Sequence, residues 1–165
     1  MITVVVLIFS LIFFTFLGYT FHMMFHKPWS KRFYNAHMNH HLKQYPPNDY
    51  VSDVYRSAGS DNTVYLFGLA FSPFIIGNIV LTILGVIPVV LGIGIFIEMA
   101  IVSFLNSSLH DSFHITKTFW HRFLFFERLK KIHYEHHIDM SKNYGIFMFS
   151  WDKIFGTYKD YKWIH

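Results

Sequence analysis

Residues 2–21, ITVVVLIFSLIFFTFLGYTF, carry no charged side chain, and the run from Val64 to Leu105 carries only Glu98. Charge-free runs of this length constrain the fold more than any other feature, because a helix of ~20 apolar residues is what crosses a ~30 Å hydrocarbon core. The first run fits one crossing. The second, as continuous helix, would extend about 63 Å, roughly twice the core, so it fits two crossings. Gly85 and Pro88 in LGVIPVV sit near its midpoint and suit a turn. The expected fold is an all-α integral membrane protein: a single domain over residues 1–165, with one crossing (2–21) and a helical hairpin (64–105). Residues 22–63 and 106–165 would form a helical cap on one face. A cleaved signal peptide would want a basic leader and a small-residue cleavage site, and neither is evident. We therefore expect the first crossing to be retained.

Composition agrees. At 53% hydrophobic and 15% charged over 165 residues, the chain is too apolar for a soluble domain of its size to bury. Cysteine is absent, so disulfides, thiolate ligands and cysteine nucleophiles are excluded. A net charge of +4 and a pI near 9.2 could suggest nucleic acid. Placement argues otherwise: all 14 Lys and Arg fall in 22–63 and 106–165. The positive-inside rule assigns that face to the cytoplasm, of the inner membrane in a bacterium or the endoplasmic reticulum in a eukaryote. The basic balance then reflects orientation and attraction to anionic headgroups, and no nucleic-acid partner is expected.

All 12 histidines lie on the same side. Residues at i, i+3 and i+4 share a helix face. On that basis His37, His40 and His41 in HMNHH can point three imidazoles at one volume, as can His133, His136 and His137 in HYEHH. His22 and His26 (HMMFH) form an i, i+4 pair where the first crossing ends, and His110 and His114 (HDSFH) form another where the hairpin ends. One such pair is weak evidence. Four clusters on one membrane face point to metal, and ten histidines exceed the four ligands of a structural zinc. They suit two ions with positions left open for chemistry.

Imidazole accepts Fe, Zn, Cu or Ni. A zinc hydrolase would want a general-base glutamate of the HExxH kind, which is missing, and Glu135 in HYEHH is offset from the ligand face. A metal transporter would place histidines inside the crossings rather than at their ends. Both remain alternatives, the latter as a non-catalytic membrane metal-binding or transport protein. A redox-active metal pair beside a membrane favours oxygen activation with a lipid substrate, and electrons would come from another protein because the loops leave no room for a haem or flavin domain.

In this order, HMMFH, HMNHH, HDSFH and HYEHH, followed by the tail NYGIFMFSWDKIFGTYK, the sequence resembles the fatty acid hydroxylase superfamily over roughly residues 18–159. That superfamily comprises membrane-bound non-haem di-iron enzymes, including sterol desaturases, lipid hydroxylases and carotene hydroxylases. The resemblance implies that His22, His26, His37, His40, His41, His110, His114, His133, His136 and His137 hold two irons, with zinc a possible substitute. It further implies O₂-dependent hydroxylation or desaturation of an unactivated C–H bond of a fatty acyl, sterol-like or carotenoid substrate. The electron donor it implies is cytochrome b5 or a ferredoxin with its reductase. The chain departs from many relatives in having three expected crossings and three residues inside its first box.

Asp111, Asp139 and Asp152 are candidates to accept the free N–H of ligand imidazoles. Asn143 and Trp151 are expected to fix the tail, and Gly145 and Gly156 to occupy turns with unusual backbone angles. Glu98 is expected to make an interhelical hydrogen bond or to wall a lipid cavity rather than to touch metal. His121, seven residues after His114, is a weaker ligand candidate.

Overall fold

A computed structural model of the protein describes residues 2–56 and 65–161. Val64, the expected start of the hairpin, and residues 57–63 before it lie outside the described residues, as does the terminal His165. The described chain is helical and carries no strand, only a bridge between Ser52 and Ile115. Helix α1 spans Ile2–Phe25, α2 Arg32–Asn39, α3 Leu66–Ile83, α4 Val89–Ser112, α5 Phe126–Ile138 and α6 Ser150–Phe155. Helices α1, α3 and α4 are long and apolar enough to cross a membrane. The protein is an all-α integral membrane protein with three candidate crossings among the described residues.

The boundaries sharpen the sequence reading. Helix α1 runs four residues past the charge-free stretch, so His22 lies on the helix itself. Helix α4 likewise runs past Leu105 to Ser112 and carries His110. The hairpin turns where expected: Gly85 takes φ +73, a left-handed conformation that glycine adopts without steric cost, and Pro88 begins α4.

Small and polar side chains lock the three helices, as expected where no hydrophobic force acts between helices in lipid. Asn78 Nδ2 donates to the Gly92 carbonyl at 2.9 Å, and a side chain at Gly92 would run into Thr82. Gly18 of α1 gives Asn106 of α4 the same room. Glu98 accepts from Ser10 Oγ at 2.5 Å, so the intramembrane carboxyl tethers α4 to α1. Replacing Ser10 with Ala should lower stability by about 0.6 kcal/mol, and at most about 1.7, in reversible unfolding from detergent or lipid.

Phe14, Phe21, Phe25, Phe67, Phe71 and Met99 fill the space between the crossings, and Phe113, Phe126 and Ile146 continue this core into the cap. The mouth of the bundle is thus dry on its membrane side. The histidines sit just above it.

Candidate metal centre

The π-helical turn His40–Gln44 continues α2, closed by Tyr45 N–H donating to the His40 carbonyl at 2.9 Å. Such turns frequently mark functional sites. Here the turn aims His40 and His41 apart. On any helix, i+3 lies about 60° to one side of i while i+4 lies about 40° to the other. The triples therefore do not each converge on one volume as the spacing suggested. Each splits.

His37 and His41 join His22, His26 and His136 in one set, while His40 joins His114, His133 and His137 in a second. Within each set one nitrogen per residue lies within 4.8 Å of all the others. Each HxxHH sends its i, i+4 pair to one set and its i+3 member to the other, and the two triples do so in opposite senses. His110 belongs to neither set by this measure. Its ring lies between them, with centroids 4.6 Å from His40, 4.7 Å from His133 and 5.5 Å from His22. Its Nε2 is buried without a hydrogen-bond partner. His121 lies apart from both sets, against Thr118 and 3.3 Å from Glu127.

The facing nitrogens are Nε2. His37 Nε2 stands 2.9, 3.0 and 3.1 Å from those of His26, His22 and His41, and the Nε2 atoms of His26 and His136 are 3.0 Å apart. In the second set His133 Nε2 stands 3.0 Å from His114 Nε2 and 3.2 Å from His137 Nε2. The outward nitrogens fix the tautomers. Nδ1–H donates to the carbonyl of Tyr144 from His22 (2.7 Å), of Lys142 from His136 (2.5 Å), of Tyr50 from His114 (2.8 Å) and of Tyr45 from His137 (2.9 Å). A carbonyl only accepts, so these four neutral rings carry their hydrogen on Nδ1 and turn a bare Nε2 lone pair inward. Two bare lone pairs per set, crowded by further imidazoles at about 3 Å, repel one another unless a cation lies between them. That is the donor set of a metal site.

Two loops supply all four carbonyls. The segment after the π-helical turn provides Tyr45 and Tyr50 to the second set, and the Tyr55 hydroxyl stands 3.3 Å from His40 Nδ1. Arg56 clamps this segment, pairing with both oxygens of Asp49 at 2.7 and 2.8 Å and donating to the Gln44 carbonyl at 2.8 Å. The tail provides Lys142 and Tyr144 to the first set. Asp152, fully buried, organises the tail by accepting from the backbone N–H of Tyr144 and Gly145, both at 2.8 Å, and from the Thr157 hydroxyl at 2.7 Å.

Asp152 therefore supports the imidazoles through the backbone and does not accept from their N–H groups. Asp139 binds Ser141 and Lys159 and reaches His136 only through its field. Asp111 comes closest, its carboxylate 3.6 Å from His110 Nδ1. Asn143 ties the tail to Ile132 and Lys159, and Trp151 Nε1 donates to Thr15 Oγ1 of α1. Gly156 has the expected left-handed backbone, φ +71. Gly145 does not: its lack of a side chain is required by crowding, since a Cβ there would meet the Met148 carbonyl and Asp152. The carbonyl partners and Arg56 escape sequence reasoning, because every residue offers a carbonyl.

The site is dry, and dryness keeps it uncharged. Phe25 packs 5.8 Å from His37, Phe113 5.1 Å from His133, and Tyr45 stacks on His114 at 4.1 Å. Burial, reinforced by neighbouring imidazoles, pushes His37, His40, His41, His114, His133 and His137 well below their ordinary range. Burial takes His136 from 6.5 down to about 3. Neutral imidazole is the form that ligates metal. Below pH 6.5 the unfolded chain binds protons that these buried rings refuse, so stability must fall as pH falls. For protein held metal-free by chelator, the unfolding temperature should be flat above about pH 6.5 and decline from there toward about pH 3.

Residues 7–157 match the family model for fatty acid hydroxylase. The chain belongs to the fatty acid hydroxylase family. No curated protein and no solved structure matches it. Membership makes the protein an oxidoreductase of the lipid-hydroxylase type, carried in the membrane by three helices, with histidine clusters that can bind metal.

Proposed function

We propose that this family member is a non-haem di-iron oxygenase that hydroxylates or desaturates an unactivated C–H bond of a membrane lipid. The observation that carries the reading is the convergence of bare Nε2 lone pairs in two buried imidazole sets at the mouth of a three-helix membrane bundle. His22, His26, His37, His41 and His136 would hold one iron, and His40, His114, His133 and His137 the other. His110, between the sets with an unpartnered Nε2, is available to either.

The number of imidazoles favours a redox-active iron pair over structural zinc. The first set has five imidazoles, one more than a structural zinc takes. Bound iron supplies O₂ activation at an unactivated carbon. The protein's own residues do the rest: the four carbonyls keep the rings in the ligating tautomer, and Phe25, Phe67 and Phe113 exclude water. Two electrons per turnover would come from a partner such as cytochrome b5 or ferredoxin with its reductase, on the cytoplasmic face.

The test is expression in a lipid-producing host under ¹⁸O₂, with lipids compared between the protein and a His136→Ala variant. A new oxygenated or newly unsaturated lipid, lost in the variant, supports the proposal. Undiminished product from the variant, or full activity in protein loaded only with zinc, would sink it.

A further inference from the structure

The cap does not stand clear of the membrane. Helix α6 lies along α1 well inside the crossing: Trp151 donates to Thr15 and packs 5.1 Å from Phe16, and Phe155 stacks on Tyr19 at 5.6 Å. Thr15 to Tyr19 lie six to ten residues before the end of α1, about 9 to 15 Å into the helix from its histidine end. Ile154 and Phe155 are exposed at that depth. On another side, Trp120 Nε1 donates to Ser108 of α4 at 3.0 Å, one turn above the lipid-facing Phe104. The connection to α5 is thereby drawn down the bundle, and it presents Phe119, Phe123, Leu124 and Phe125 outward, with Leu124 fully exposed.

Between these two sunken elements lies a groove of about 280 Å³. Phe125, Leu129, Ile132 and Phe149 give it apolar walls, while Arg128, Ser150 and Lys153 supply polar groups. Arg128 and Lys153 have no carboxylate within ion-pair distance among the described residues, and Lys153 stands over the Tyr158 ring at 5.0 Å. Two cations without an ion-pair contact among the described residues, above apolar walls and flanked by apolar side chains at leaflet depth, complement an anionic amphiphile.

We propose that the α5–α6 groove seats an anionic phospholipid of the adjacent leaflet, its phosphate against Arg128 and Lys153 and its chains along Phe125 and Phe149. The exposed ridge Phe119–Phe125 and the Ile154–Phe155 pair enter the acyl region on either side. The cap is then fastened to the leaflet on its own side of the membrane, and its mouth stays at lipid level. This seat is independent of the metal chemistry.

The absence of cysteine allows one label at one place. With the full-length Leu124→Cys protein spin-labelled in nanodiscs of phosphatidylcholine with phosphatidylglycerol, the label should be more accessible to O₂ than to an aqueous nickel chelate. Native mass spectrometry of unlabelled protein should show one retained phosphatidylglycerol per chain, and R128Q/K153Q should reduce that retention at least tenfold with metal content unchanged. A label accessible to the chelate would assign the ridge to a protein partner or a second copy and overturn the proposal. Equal retention of phosphatidylcholine, or of phosphatidylglycerol by the double variant, would overturn it as well.

Discussion

A His136→Ala variant is expected to lose lipid oxidation by at least about a hundredfold and to lose one metal per chain, the larger effect of any single change to the cage. The loss of even a group that orients a ligand costs about 10- to 100-fold in metal affinity or activity, and a ligand should cost more. His136 is also where α5 meets the tail: its Nδ1–H reaches the Lys142 carbonyl while its Nε2 faces His26. Removing it strips the first set of one of its two fixed lone pairs. Metal analysis of purified variant checks this. A variant holding two metals with full turnover would remove His136 from the ligands. His121→Ala is the internal comparison and should change neither quantity, because that ring stands against Thr118 and Glu127, away from both sets.

The second large effect separates the two metal positions. Asp152 shapes only the tail that orients His22 and His136, and Arg56 clamps only the segment that orients His114 and His137. Asp152→Asn is expected to weaken metal binding at the first set about 10- to 100-fold and leave the second intact, and Arg56→Met to do the reverse. Titrating stripped protein with ferrous ion should then give two resolved phases in each variant where the parent gives high affinity at both positions. Equal weakening of both positions by either substitution would show that the loops act on the cage as a whole.

Much of this was legible in the sequence, for physical reasons. Charge-free runs and the placement of Lys and Arg specify crossings because burying charge in hydrocarbon is costly, so the sequence alone locates α1, α3 and α4. Helix periodicity brought the histidines to one face. The divergence of i+3 from i and i+4 is a property of any helix, but spacing alone did not show which set His40 and His136 would join, because that depends on residues of other helices that meet them in space. Asp152 was legible as a residue near the site but not as a clamp on backbone amides, which is a property of the tail's path. Gly145 looked like a turn glycine, yet it is there for room.

The central claim is that two metal ions, held by two imidazole sets, do the chemistry. The most direct measurement is the metal content of purified, active protein, read together with its Mössbauer spectrum after growth on ⁵⁷Fe. Two irons per chain in histidine-rich, non-haem environments, lost in proportion to activity on chelation, are the expected result. A single metal per chain in fully active protein, or activity that survives complete removal of iron, would contradict the account.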